Sequence, residues 1–226
     1  MIRPLYMITD GGARRIQNTL VADIKDGLEG GAGAVGFILI REVGDRLKEI
    51  PPASDREIIR IANELRSAVR DTDAKLIMHR RVDLAIAVEA DGIHLSANTI
   101  KPSAVRAAFG NRFILGYSAH SSKEAQTAVQ EGVDYLLLSP IFPTLSKQGD
   151  NRLPLGVKGL KEIVSEVPLP IFALGGITKE NVKECRNAGA AGIAGISAFF
   201  EKSANPKIAA ASIAEAWGNC ASPSNS

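Results

Sequence analysis

The strongest constraint on the fold is a repeat in which short apolar runs alternate with longer segments of helical periodicity. The predicted strands are residues 5–9, 34–40, 75–78, 92–94, 113–118, 135–139, 171–174 and 192–196. Most are apolar at consecutive positions, which is typical of parallel strands covered by helices on both faces. Eight strands, each followed by a helix, predict an α/β protein with a (β/α)8 TIM barrel. An open doubly wound sheet is the structural alternative.

Length and charge narrow the class of protein. The 226 residues suit one TIM-barrel domain, which we place at residues 1–220, with residues 221–226 as a short disordered tail. No apolar run approaches the roughly 20 residues of a membrane span. The net charge of +2 is too small to indicate a nucleic-acid or membrane surface as partner. The sequence leaves open whether the protein forms a homo-oligomer.

The two cysteines and the start of the chain bear on location. Cys185 and Cys220 lie outside any metal-ligand spacing, and residues 1–4 run directly into the first strand pattern without a signal peptide. Both cysteines are therefore predicted to be free thiols in a reducing cytoplasm.

The barrel fixes where a site would lie, because the C-terminal ends of its strands converge on one mouth. These ends carry cations, hydroxyl groups and imidazoles. In chain order they are Asp10, Arg41, His79 with Arg80, His94, Ser118 with His120, the Thr144–Lys147 loop, Gly175 with Gly176, and Ser197. The ring of residues predicts a pocket for a small anionic molecule.

Three loops late in the chain favour a phosphate group. Glycines allow the backbone to approach a ligand closely, and free N–H groups at the start of a helix suit an anion. The loops after the seventh and eighth strands of such barrels frequently hold phosphate. A plainer interpretation is that the glycine pair only permits a tight turn. The predicted phosphate contacts are Thr144, Ser146, Lys147, Gly175, Gly176, Ile196 and Ser197.

Several phrases, taken in order, resemble the thiamine phosphate synthase and TenI superfamily over nearly the whole chain. They are Leu5–Asp10, Arg41-Glu42, Arg81–Ala85, Ala90–Leu95, Gly116–His120, Asp134-Tyr135, Pro140–Thr144 with Lys147, Gly175–Ile177 and Ile193–Ser197. The resemblance implies one of two chemistries. The synthase couples a pyrimidine pyrophosphate to a thiazole phosphate with magnesium held by two aspartates. The TenI-like tautomerase moves a proton on a thiazole carboxylate phosphate, which makes the ring aromatic.

Departures from the synthase pattern separate the two branches. Where that pattern has Asn-Asp and a later Asp, this chain has His79-Arg80 and Thr99. Both magnesium carboxylates are therefore missing, and an arginine would repel the ion. Leu39 and Val43 replace a glutamine and a lysine of the pyrimidine half.

The thiazole-phosphate half looks intact, so the chain is closer to the tautomerase branch, with no cofactor. There the resemblance makes His120 the catalytic residue. An imidazole titrates near neutrality and can take and return one proton. Arg41, His79, Arg80, His94 and Ser118 are the remaining predicted substrate contacts.

Five alternatives stay open on the sequence. His120 could merely orient its loop, and His94 could be a structural residue. Arg80 could bind a pyrophosphate itself, in a divergent synthase that uses magnesium. The protein could instead be a binder or regulator that binds a small phosphorylated thiazole without catalysing a reaction. Finally, His79, His94 and His120 could together hold zinc.

Overall fold

The protein forms a barrel of eight short strands in a computed structural model that describes residues 2–44, 49–143, 152–200 and 205–218. Each strand end lies within one residue of its predicted position. The strands are β1 Leu5–Ile8, β2 Val35–Ile40, β3 Lys75–His79, β4 Gly92–Leu95, β5 Ile114–Ala119, β6 Tyr135–Leu138, β7 Ile171–Leu174 and β8 Gly192–Gly195.

All strand pairs are parallel and follow chain order, and β1 pairs with β8 to close the barrel. Leu5 lies opposite Ile193, and Tyr6 lies opposite Ala194. Closure confirms the (β/α)8 TIM barrel predicted from the alternation, and the doubly wound sheet is wrong. Every strand therefore delivers its C-terminal end to one mouth.

Helices surround the barrel. They are α1 Ala13–Ile16, α2 Leu20–Gly30, α3 Asp55–Val69, α4 Val82–Ala87, α5 Pro102–Phe109, α6 Ser122–Gln130, α7 Gly156–Glu166, α8 Val182–Asn187, α9 Ser197–Phe200 and α10 Pro206–Trp217. The start of α3 shows how local sequence sets a boundary. Ser54 accepts a hydrogen bond from the Glu57 amide, and the Glu57 side chain accepts one from the Ser54 amide. This capping box satisfies two N–H groups that the first turn would leave unpaired.

The interior of the barrel is filled below the mouth by four aromatic rings. Tyr6, Phe37, Tyr135 and Phe172 pack with ring centroids 5.1 to 5.9 Å apart. Tyr6 and Tyr135 are both buried in the core.

A second, larger apolar layer lies between the strands and the helices. It includes Cys185 of α8, whose thiol is buried. Burial raises the pKa of this thiol to about 12, so it stays protonated near neutral pH.

Parts of the domain prediction fall outside the described residues, namely Cys220 and the tail at 221–226. The single domain at 1–220 therefore stays a prediction. Among the helices of the described ranges, none combines the length and the apolar character needed to cross a bilayer.

Candidate active site

A cavity of about 270 Å³ opens at the mouth of the barrel. Its apolar wall comes from Ile8, Leu39, Leu137 and Leu174. All ten described residues that the sequence singled out as catalytic or substrate-binding line it: Arg41, His79, Arg80, His94, Ser118, His120, Gly175, Gly176, Ile196 and Ser197. Thr144, Ser146 and Lys147 lie outside the described residues. The structure thus gathers distant positions around one space, while their individual roles remain predictions.

His94 belongs to a series of buried hydrogen bonds that extends into the interior of the barrel. Its Nε2 lies 2.8 Å from Ser118 Oγ, and its Nδ1 lies 3.2 Å from the Tyr135 hydroxyl. That hydroxyl is 2.7 Å from the hydroxyl of Tyr6. Burial lowers the pKa of His94 to about 3, so the ring is neutral near pH 7. Because both ring nitrogens are engaged, His94 orients Ser118 rather than acting as a base.

His79 is the neighbour of His94 across the β3–β4 pair, and the two rings stack with centroids 6.4 Å apart. Burial, followed by the charges of neighbouring groups including Arg41 and Arg80, lowers the pKa of His79 to about 2. Its Nδ1 is buried and has no hydrogen-bond partner among the described residues. His79 is therefore a neutral imidazole with an unused nitrogen at the mouth.

Arg80 sits in a strained turn directly after β3. Its φ of 66° is in the left-handed region, which costs a residue with a Cβ about 1 kcal/mol or more. The Arg80 amide donates to the His94 carbonyl at 2.9 Å, and the Arg81 amide donates to the His79 carbonyl at 2.8 Å. This turn sends the two arginines apart. Arg81 pairs with Asp55 and Asp83 on the outer surface, whereas Arg80 lines the cavity.

His120 is held by backbone and side-chain groups after β5. Its Nδ1 lies 2.6 Å from the backbone carbonyl oxygen of Ser139, and its amide donates to Glu124 Oε2 at 2.9 Å. A carbonyl oxygen can only accept, so Nδ1 carries the proton in this contact. In the neutral ring, Nε2 is then the basic nitrogen. His120 is thereby set up to exchange a proton through Nε2.

The loop after β7 needs glycine. Gly175 and Gly176 have φ angles of 98° and 65°, and a Cβ on Gly176 would lie 2.5 Å from the Pro143 carbonyl oxygen. Asn181 Nδ2 donates to the Gly176 carbonyl at 2.8 Å and holds the loop from behind. The amides of Gly176 and Ser197 have no backbone acceptor among the described residues. An anion at the mouth could accept from these two N–H groups, and their contact with a phosphate stays a prediction.

Asp10, also placed at the mouth by the sequence, does not line the cavity. Its carboxylate accepts hydrogen bonds from the amides of Gly12 and Arg14 at 3.1 Å. Asp10 therefore fixes the start of α1. The predicted position in the ring was right, but its contacts are those of a turn.

The donor set does not fit magnesium. At the two positions where the synthase pattern has aspartates, the chain offers the Arg80 guanidinium and the Thr99 hydroxyl. Thr99 Oγ1 is used locally, where it lies 2.6 Å from the Ser96 carbonyl and 3.1 Å from the Ser96 amide. The described residues that line the cavity include no carboxylate. Magnesium prefers oxygen ligands with one or two carboxylates, so this part of the mouth is unsuited to it.

The three-histidine zinc alternative does not fit the geometry. Both ring nitrogens of His94 already make hydrogen bonds, and Nδ1 of His120 donates its proton to the Ser139 carbonyl oxygen. Within the described part of the chain, no group of three metal-binding side chains lies close enough together to hold an ion.

Sequence reasoning missed two partners of the site. Ser139, whose carbonyl fixes the His120 tautomer, was only the last residue of the strand predicted at 135–139. The hydrogen bond between Tyr135 and His94 could not be seen in the sequence because the two residues are 41 positions apart.

Comparison with known proteins shows which family this barrel resembles. Residues 5–199 match the family model described as thiamine monophosphate synthase, TMP-TENI. A protein of Aquifex aeolicus named putative thiamine-phosphate synthase 2 is 45% identical over 162 residues, which are 72% of this chain and 84% of the relative. The thiamine-phosphate synthase of Chloroflexus aurantiacus is 40% identical over 86% of this chain and 83% of its own.

A solved structure agrees. The thiamine phosphate pyrophosphorylase of Pyrococcus furiosus superposes with a TM-score of 0.79 and 32% identity over 96% of both chains. The superfamily resemblance is therefore confirmed, whereas these matches do not single out the tautomerase branch. With the match spanning the barrel from β1 to α9, the chain belongs to the thiamine monophosphate synthase (TMP-TENI) family.

Proposed function

We propose that the protein catalyses a metal-independent proton shift on a thiazole carboxylate phosphate and so makes the ring aromatic. The observation that carries the proposal is the setting of His120. Its imidazole lines the cavity, and its Nδ1 donates to the Ser139 carbonyl oxygen at a distance of 2.6 Å. A base with one fixed tautomer is suited to remove a proton and return it nearby.

The reaction is an isomerisation, so the substrate as a whole keeps its composition. One C–H bond at a ring carbon of the non-aromatic substrate breaks as Nε2 of His120 takes the proton. The electron pair moves into the ring, and the proton returns to a carbon outside the ring. The phosphate would rest on the amides of Gly176 and Ser197, with Thr144, Ser146 and Lys147 as further proposed contacts. Binding energy spent on the phosphate fixes the reacting atoms beside the imidazole.

The size of the cavity supports a reaction with one substrate. Pockets for small ligands commonly measure about 300–1,000 Å³, and this one has about 270 Å³. A single phosphorylated ring suits such a space better than two phosphorylated substrates held side by side. The proposed ligand also needs no magnesium, in line with the donor set at Arg80 and Thr99.

The coupling of a thiazole phosphate to a pyrimidine pyrophosphate is the second candidate. It is favoured by the names of the relatives, since the proteins of Chloroflexus aurantiacus and Pyrococcus furiosus are both called thiamine-phosphate synthase. Against it stand the two carboxylates that this mouth lacks at Arg80 and Thr99.

The test is a paired assay on metal-stripped protein. One arm follows aromatisation of the thiazole carboxylate phosphate, and the other follows coupling with and without magnesium. We expect metal-independent aromatisation. The variant His120→Asn should lose at least about a hundredfold in kcat while binding product normally, because general acid–base catalysis typically contributes 10²–10⁴-fold.

Three outcomes would contradict all or part of this proposal. Coupling alone would establish the transferase and overturn the proposal. Ligand binding without turnover in either arm would indicate a binder. Aromatisation that persists in His120→Asn would leave the reaction in place but remove His120 as its base.

A further inference from the structure

Two buried nitrogens beside the cavity lack hydrogen-bond partners among the described residues, and both belong to residues at the end of β3. They are Nδ1 of His79 and Nε of Arg80. Leaving a buried charged donor unpaired is costly, commonly several kcal/mol. The cost falls when a ligand supplies the missing acceptor.

The backbone makes the same point independently. Arg80 is held in a left-handed conformation that glycine would adopt with less strain. Strain of this kind persists where the surrounding structure requires a side chain in a particular place. Arg81, one residue on, meets Asp55 and Asp83 outside the barrel, while Arg80 forms no ion pair with a described residue.

From this geometry we infer a second anion subsite, formed by Arg80 and His79 with Arg41 beside them, which binds an anionic oxygen group at the end of the ligand opposite the phosphate. The inference rests on the proposed function for the identity of that group as a carboxylate. A guanidinium can hold a carboxylate or a phosphoryl group through two hydrogen bonds, and a neutral His79 can add a third.

The order of strands shows what such a subsite would do. Arg80 follows β3 and the Gly175–Gly176 loop follows β7. Three strands lie between β3 and β7 on either side of the closed barrel, so the two loops face each other across it. His120 follows β5, midway between them. A ligand anchored at both ends therefore presents its middle to His120. Arg80 acts as a specificity-determining and positioning residue in this arrangement.

Equilibrium binding tests the subsite separately from catalysis, because the aromatic product does not turn over. The probes are the thiazole carboxylate phosphate product, the same thiazole phosphate without the carboxylate, and inorganic pyrophosphate, all in EDTA. The wild type should bind the carboxylated compound more tightly. Arg80→Gln should weaken that compound by roughly tenfold to a hundredfold, the range for hydrogen bonds to charged groups. It should leave the decarboxylated compound nearly unchanged.

Arg81→Gln is the matched control, since Arg81 is adjacent in sequence but faces solvent, and it should bind all probes like the wild type. Arg80→Lys should recover part of the preference by restoring the charge, and circular dichroism would check that both Arg80 variants are folded. Equal weakening of both thiazole ligands, or no change with any of the three probes, would overturn the subsite. If Arg80→Gln instead abolishes only metal-free pyrophosphate binding, the subsite takes a phosphoryl group and the carboxylate assignment is wrong.

Failure of the proposed function would look different. The product could show Arg80-dependent binding even if no aromatisation were found, because this measurement involves no turnover. Conversely, aromatisation with no contribution from Arg80 would keep the reaction and remove only the subsite.

Discussion

At the scale of single residues, the mouth depends on side chains whose protonation is fixed by their surroundings. His79 and His94 are neutral because burial outweighs their tendency to ionise. His120 differs, since a backbone carbonyl determines which of its nitrogens is protonated. The sequence showed three histidines at strand ends, but neither partners nor burial, so it could not separate their roles.

The buried His94 should make stability depend on pH. Its pKa is about 6.5 in an unfolded chain and about 3 in the fold. Above pH 6.5 both states are neutral and the contribution to stability is constant. As the pH falls below 6.5, the unfolded chain binds a proton that the folded protein excludes, so stability is lost progressively towards the folded pKa.

Between pH 7 and pH 5, we therefore expect the unfolding free energy to fall less in His94→Gln than in the wild type. The difference between the two decreases should be about 2 kcal/mol. Urea titrations at several pH values would measure it. Parallel pH profiles for the two proteins would show that His94 is not protected from protonation. The comparison cancels the carboxylates that also titrate in this range.

At the scale of elements, the strands were predicted to within one residue, whereas the short helices α1 and α9 were not predicted. These two helices have four residues each, too few to show a period of 3.6. Helix α8 begins only at Val182, because Asn181 Oδ1 accepts from the Thr178 amide and forms a turn first. Helix α4 ends before Glu89, whose φ of 49° is left-handed.

The β7 loop gives a prediction at this scale. Gly176→Ala would place a Cβ 2.5 Å from the Pro143 carbonyl and 2.8 Å from Phe142 Cβ, so the loop must shift. We expect phosphate-ester affinity to fall by roughly tenfold or more, as measured by calorimetry.

Gly110→Ala is the control for this substitution. Gly110 also has a positive φ, of 55°, but a Cβ there would meet nothing within 4 Å. It therefore reproduces the backbone strain without moving the mouth, and should reduce stability alone. Normal ligand affinity in Gly176→Ala would refute the role of the loop.

At the scale of the whole molecule, closure joins the two ends of the chain. Strand β1 pairs with β8, and α10 packs against α2, where the Lys207 side chain pairs with Glu29. Gly30 of α2 lies so close to α10 that a Cβ there would be 2.0 Å from the Lys207 carbonyl oxygen.

Gly30→Ala should accordingly destabilise the protein by about 1–3 kcal/mol, the usual cost of overpacking. The direction of this change in stability is informative, because alanine in a helix is otherwise favoured over glycine by roughly 1 kcal/mol. Gly159→Ala in α7 is the matched control, since the nearest atom to its Cβ would be a leucine side-chain carbon at 3.2 Å. Thermal or urea unfolding would compare them, and an unchanged or raised stability in Gly30→Ala would contradict the contact.

The sequence by itself determined the eight strand-helix units and, through them, which residues meet at the mouth. Local periodicity and the topology of a parallel barrel suffice for that, because every strand delivers its C-terminal end to the same place. Only the tertiary structure decided which nitrogen of His120 is basic and that His79 and Arg80 have unpaired nitrogens beside the cavity. These properties depend on burial and on partners far away in the chain, and local sequence carries no signal for either.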